Sequence, residues 1–504
     1  MFRLSLIKLN MRKTFILNAT KSALTMLIIA LSLTSCEGLI DAIIGTEDNP
    51  ALKPDNTAYD PQLFNAQTAP LTLEAVSGTI TVNFITDKVI EYSLDDGLNW
   101  VASTPSSESI IQIIGNKILL RGNNPSYKGS QIKCNDEFYV YGNIMSLIYG
   151  KDFVNKTSFD KEKGESAFFA FLGGNEKLKS HDSKDLVLPA SVLTKSCYER
   201  MFINCKSMTR APALPAKDLT GADGCYRYMF ENCLSLVSAP ELPATKLAQQ
   251  CYMGMFTYCN TITSAPELPA TDLTGCDNCY SHMFWGCKGL INAPSLPALK
   301  LARQCYYVMF KDCFELEKAP ELPATDLTGA DGCYWSMFGS CKKLKVVPSL
   351  KATKLSIGCY NDMFGGCKSI TKAPELPSTE LKEACYAGMF QYCDNLTTPP
   401  SELPALQLER RCYSSMFSNC HSLTSTPLLP APNIDKEECY YNMFKGCSSL
   451  ISVACKATSL TVDSSTENWL DGVSATGTFK KAASMTDWPS GVSGIPSGWT
   501  IENM

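Results

Sequence analysis

The chain has 504 residues, with 45 Lys and Arg against 50 Asp and Glu, a formal net charge of −5. That balance argues against nucleic acid or an anionic lipid surface as the main partner. The length allows one modest globular domain and a long further array, and 24 cysteines against three histidines put the weight on sulfur rather than imidazole.

Arg3, Lys8, Arg12, Lys13 and Lys21 precede an apolar run from Ala23 to Leu33, and no acidic residue occurs before Glu37. The run is too short for a stable membrane span and reads as a secretory signal over 1–35. It ends in Leu33-Thr34-Ser35-Cys36, which resembles the lipobox of bacterial lipoproteins. The resemblance implies cleavage before Cys36 and acylation there, and several acyl chains anchor stably where one is marginal. Cleavage would remove five basic residues and no acidic one, so 40 against 50 leaves a net charge of −10. Residues 36–68, rich in Asn, Asp and Pro, read as a tether.

Residues 69–125 carry period-two alternation, as in Thr79 to Phe84, between Gly, Asn and Asp turns. A small antiparallel β-sandwich is expected. Ser93-Leu94-Asp95-Asp96-Gly97-Leu98-Asn99-Trp100 resembles the Asp-box of sialidase-like propellers, with Asn99 in place of Thr. A propeller needs several copies and there is one, so a structural hairpin and a glycan-related role stay open. Residues 126–195 read as a connector and an N-terminal cap coil, Ala167-Phe168-x-x-Phe171-Leu172 to Ala190, which lacks the cysteines.

Over 196–460 the sequence repeats itself. Cys-Tyr-x-x-Met-Phe-x-x-Cys begins at 197, 225, 251, 279, 305, 333, 359, 385, 412 and 439. The early steps alternate between 28 and 26 residues because Thr-Gly-Ala-Asp-Gly, as at Thr220 to Gly224, lengthens every second linker. A 54-residue pair is the implied duplication unit. Cys225, Tyr226, Met229, Phe230 and Cys233 would share one face of a two-turn helix, too short to be stable alone. Leu236 to Thr245 follows as a short extended segment whose prolines end the helix. Stacked coils of this kind bury a continuous core.

Met229-Phe230-x-x-Cys233-x-x-Leu236 and Leu242-Pro243 resemble the coil of BspA-like leucine-rich-repeat surface proteins of anaerobic bacteria. The match covers roughly residues 165–460; the extra cysteine and extra proline per coil depart from it. The fold class expected is an α/β solenoid of leucine-rich-repeat type, a short helix and a short strand per coil, behind the small β-sandwich. The resemblance implies surface display and ligand binding, with no catalytic residues to transfer. Residues 461–504, with Trp469, Phe479, Trp488 and Trp499, read as a C-terminal cap, and Cys455 as filling a core leucine place.

Twenty cysteines are the two per repeat, led by Cys197, Cys205, Cys225, Cys233, Cys251 and Cys259. Eight residues along a helix span about 12 Å, too far for a bridge within one coil. Buried ladders of free thiols and disulfides between coils both remain open, while the spacing does not suit zinc. His282 and His421 occupy outward repeat positions and His181 lies in the cap, so no triad context arises. Asp218 and Asp223, with Asp272/Asp277 and Asp326/Asp331, are either paired calcium ligands or parts of glycine turns.

The outward positions hold Tyr228, Tyr258, Trp285, Tyr307, Trp335, Tyr392 and Tyr441, the candidate ligand-binding residues, with plain solvated decoration the alternative. The expectation is a monomeric, non-enzymatic, cofactor-free lipoprotein of the outer membrane, exposed at the cell surface. It would bind a host or neighbouring-cell macromolecule. A glycan-binding lipoprotein of a polysaccharide-uptake system is the alternative.

Overall fold

The computed structural model describes residues 64–104 and 109–504. The signal segment, Cys36 and most of the tether lie outside the described residues. Among the described residues no helix is long and apolar enough to cross a membrane.

The N-terminal region is built from β1 (Leu71–Ala75), β2 (Ile80–Ile85), β3 (Ile90–Ser93), β4 (Val101–Ala102), β5 (Ile110–Gly115), β6 (Lys117–Gly122), β7 (Gln131–Cys134) and β8 (Phe138–Asn143). One sheet runs β8-β1-β6-β3-β4 and the other β5-β2-β7, with all these pairings antiparallel. Alternation decides the faces: Ile80, Val82 and Phe84 are buried while Thr81, Asn83 and Ile85 are only partly so. The sheets extend past residue 125, because β7 and β8 complete them. A single helical turn, α1 (Ser146–Tyr149), follows. Then β9 (Leu178–Lys179) and β10 (Leu186–Val187) of the cap coil pair in parallel with β8, which joins sheet to solenoid.

The repeats form a β-solenoid, and the expected two-turn helix is absent from them. In the coil beginning at Cys225, the N–H groups of Arg227, Met229, Glu231 and Cys233 donate three residues back, at 3.1–3.2 Å. Those of Tyr226, Tyr228, Phe230 and Asn232 donate instead to Cys251, Met253, Met255 and Thr257 of the next coil, at 2.8–3.0 Å. An α-helix would send every N–H four residues back. Here alternate amides close tight turns and the others ladder onto the neighbour. Every fourth residue is left-handed: φ is +62° at Gly224, +54° at Tyr228 and +59° at Asn232. The α/β leucine-rich-repeat class is therefore corrected to a β-solenoid behind a β region. The inward set i, i+1, i+4, i+5, i+8 has a period of four, two in and two out, which a 3.6-residue helix only approximates.

Stacking aligns like with like. Rings from Phe168 through Tyr198 to Tyr440, then Trp469 and Trp488, form one column with centroids 5.5–6.1 Å apart and planes within 22°. Phe202 to Phe444 form a second, at 5.4–5.8 Å. Such spacings suit offset aromatic packing, worth about 0.5–1.5 kcal/mol per pair beyond burial.

The proline-rich face is bonded differently. Arg210 pairs with Ser238, Ser264 with Asn292 and Lys318 with Val346, each joining the first coil of a 54-residue pair to the second. The ion pairs Lys246–Asp218, Lys300–Asp272 and Lys354–Asp326, each 2.9 Å, follow the same rule. The turn face is laddered at every junction; through the coil at Cys385 the proline face is laddered within pairs, after which Glu402 pairs with Leu428 across the next junction.

Regular strands appear late, as β11 (Ser425–Leu429), β12 (Asn433–Ile434), β13 (Ser452–Cys455), β14 (Ser459–Leu460), β15 (Gly477–Lys481) and β16 (Trp499–Asn503). The parallel order β11-β13-β15-β16 makes the tail a continuation of the solenoid. Cys455 stands opposite Leu429, buried, in the leucine place.

Candidate binding surface

The seven outward aromatics do not behave alike. Tyr258 and Trp285 meet with ring centroids 5.1 Å apart, and His282 lies 5.5 Å from Trp285 and 5.2 Å from Tyr307. Tyr307 continues to Trp335 at 5.9 Å. Four coils thus contribute to one unbroken aromatic strip on the turn face. The left-handed turns create it: Gly286 has φ +71°, and a side chain there would collide with the Tyr258 ring. Gly254 makes the same room for Tyr228, whose ring also receives the Arg200 guanidinium at 5.2 Å. Tyr392 and Tyr441 have no ring partner among the described residues.

Polar groups hold the strip in place. The Trp285 indole N–H donates to the Asp312 carboxylate at 3.1 Å, and His282 Nδ1 shares a 2.7 Å hydrogen bond with the Ser281 hydroxyl. Burial, and then the Lys311 ammonium, lower the His282 pKa, so its ring is neutral at neutral pH. Burial raises the Tyr258 pKa, with the carboxylates of Asp312 and Glu231 adding to it. In the sequence His282 stands at an outward repeat position but outside the seven candidates, and nothing singles out Asp312. For His282 the signal was there: His282 is one coil before Tyr307 and one position beyond it, which stacking turns into contact.

The cysteines serve the core. Cys197, Cys205, Cys225, Cys233, Cys251 and Cys259 are fully buried, and all 23 described cysteines are free. Burial pushes the Cys197, Cys205 and Cys251 thiols up to about 12, and those of Cys225, Cys233 and Cys259 well above the usual range. A thiol held protonated is neither nucleophile nor metal ligand. Each second cysteine instead donates its S–H to the preceding coil: Cys205 to the Leu172 carbonyl at 3.3 Å, Cys233 to Phe202 at 3.2 Å and Cys259 to Phe230 at 3.0 Å.

The acidic inserts are structural in their bonding. Asp218 accepts from the Thr220 amide and from Lys246, while Asp223 accepts from the Gln249 amide. The Asp-box-like hairpin closes on itself too. Asp95 accepts from the Ser93 hydroxyl and the Asn99 amide, and the Trp100 indole N–H donates to the Gly97 carbonyl at 2.9 Å. Among the described residues no group of three or more potential metal-binding side chains converges. No family model, curated protein or solved structure matches the chain.

Proposed function

We propose that the chain is a lipid-anchored binding protein of the cell surface, held through Cys36, that recognises an extracellular macromolecule through its solenoid. One observation carries the proposal: Tyr258, His282, Trp285, Tyr307 and Trp335 form a continuous strip across four coils, half-buried or exposed. Aromatic side chains give large contact area at low entropic cost and dominate hot spots. The adhesin-like role and the display at an outer membrane rest on the lipobox and on the repeat's resemblance to BspA-like surface proteins. The chain would act as a monomer, without cofactor or catalysis.

A protein partner fits better than a flat sugar ring. Successive rings along the strip are inclined at 45–74°, so the surface is corrugated rather than planar. Corrugation suits interdigitating side chains. Replacing Tyr258, Trp285, Tyr307 and Trp335 together with alanine should abolish capture of an extracellular-matrix protein panel with little change in melting temperature. A glycan array run in parallel decides the alternative: glycan binding lost in the same variant, with protein capture intact, would replace this reading by polysaccharide uptake. Unchanged binding in both assays would refute the strip.

A further inference from the structure

The two strands β9 and β10 of the cap coil spend their backbone groups on β8, not on the first full coil. Past the Ser207 amide, which donates to the Glu176 carbonyl at 3.0 Å, backbone pairing on the proline face resumes where Arg210 meets Ser238. Cap coil and first coil are joined on this face through the Ser180 hydroxyl, which accepts from the amides of Thr209 and Arg210. A cleft of about 520 Å³ opens between them. That is the size of a small-molecule site.

Its chemistry is two-sided. Val140, Leu178, Leu188 and Met208 supply a buried apolar floor. Lys179, His181, Lys184 and Arg210 line the rim with Asp185; Lys179 is paired with Glu137 at 2.7 Å and Lys184 with Glu74 at 2.6 Å, which leaves Arg210 as the cation best placed for a ligand. Arg210 is held ready: one guanidinium nitrogen, Nη2, donates both to the His181 carbonyl at 2.8 Å and to Asp185 at 2.7 Å. Its Nε and Nη1 have no partner among the described residues. The Arg210–Asp185 pair is well exposed, so an incoming oxyanion displaces little. His181 Nδ1 accepts from the Ser183 amide, which places the proton of the neutral ring on Nε2 as a further donor. Edge-on contacts with Tyr139 at 4.8 Å and Tyr141 at 5.7 Å orient that ring.

We propose that this cleft binds a small organic acid, with its carboxylate on Arg210 and an aliphatic or aromatic body over Val140, Leu178 and Met208. Planar guanidinium and carboxylate match in a way that a neutral head group does not. The site is independent of the aromatic strip and stands whatever that strip binds.

Calorimetric titration of the full-length chain with octanoate and 3-phenylpropionate, beside their primary amides, tests it. The acids should bind one per chain, with the amides and the Arg210→Gln variant weaker by about tenfold or more, as the loss of a charge-assisted bond implies. Ala211→Phe, which fills the cleft, should abolish binding. Lys184→Met serves as a second charge variant if Arg210→Gln lowers the melting temperature. Amides that bind as tightly as acids, affinity unchanged in Ala211→Phe, or no acid bound at millimolar concentration would each overturn the proposal.

Discussion

The thiol of Cys287 donates to the backbone carbonyl of Phe256 in the preceding coil at 3.0 Å, and that carbonyl also accepts from the Cys259 amide in its own coil. Sulfur therefore ties neighbouring coils together where alanine or valine would only fill space. Cys287→Ala should cost about 1–3 kcal/mol, from a lost hydrogen bond plus a small cavity. Denaturant unfolding measures it, and a loss no larger than that of an exposed substitution such as Lys288→Ala would show the bond to be idle.

Reactivity follows from the same burial. With thiols buried and their pKa raised, the repeat cysteines should resist iodoacetamide at pH 8 in the folded chain and react fully after unfolding. Cys134 and Cys276, which are slightly exposed, should label first. Mass spectrometry after timed alkylation reads this directly. Fast labelling of Cys225 or Cys333 in the native chain would contradict the packed core, and masses short by two hydrogens per pair would reveal disulfides between coils.

Alkaline pH should unfold the solenoid. The folded thiols of Cys287, Cys305 and Cys359 are raised from 9 to about 12, so the folded state favours the protonated form. Their contribution is complete below pH 9 and disappears as pH climbs towards 12. The buried tyrosines shift the same way, with burial again the main cause. Melting temperature should fall steeply across that window and change little between pH 6 and 8. A flat profile to pH 11 would count against the buried ladders.

Much of this was legible in the residues. Ten spaced copies of Cys-Tyr-x-x-Met-Phe-x-x-Cys announced stacked coils, and the 28/26 alternation announced pairs. The helix was misread because Cys225, Tyr226, Met229, Phe230 and Cys233 fit one helical face nearly as well as a four-residue period. The correction was available in Gly224 and Asn232 and in their counterparts Asn204, Asp312, Ser340, Asn419 and Gly446. These are residue types that tolerate left-handed backbone or bond it locally. Tyr228 and Val308, left-handed at +54° and +58°, carry no such signal; the laddering imposes their conformation. The aromatic strip was half legible. Its members were identifiable one by one, but their contact depends on the offset between coils, which a linear sequence does not display.

The tyrosine column holds a cost. The hydroxyls of Tyr226, Tyr252 and Tyr280 are buried without a hydrogen-bond partner among the described residues. An unpartnered buried hydroxyl is penalised by about 1–3 kcal/mol. Tyr252→Phe keeps the ring stack with Tyr226 and Tyr280, at 5.7 and 5.8 Å, and removes that penalty. It should raise stability, while Tyr252→Leu, which breaks the column, should lower it. Destabilisation by phenylalanine would mean that the hydroxyl finds a partner in the folded chain.

Over the first eight coils, pairing on the proline face makes the chain modular in units of two. Removing residues 251–304, one whole pair, brings Gln250 to Cys305 and leaves both the Asp218–Lys246 and Asp326–Lys354 contacts intact. Removing only 251–278 leaves the coil at Cys279 without the partner that Ser264 supplies to Asn292. Coupling in a solenoid is between nearest neighbours. The 54-residue deletion should therefore keep a single cooperative transition and lose five free thiols.

 The five that leave are Cys251, Cys259, Cys276, Cys279 and Cys287. The 28-residue deletion should melt several degrees lower than the 54-residue one, because a proline face without its mate exposes unpaired backbone. Circular dichroism melts of the two truncated chains compare them directly. Equal melting temperatures would show that the pair is a trace of duplication and not a structural unit.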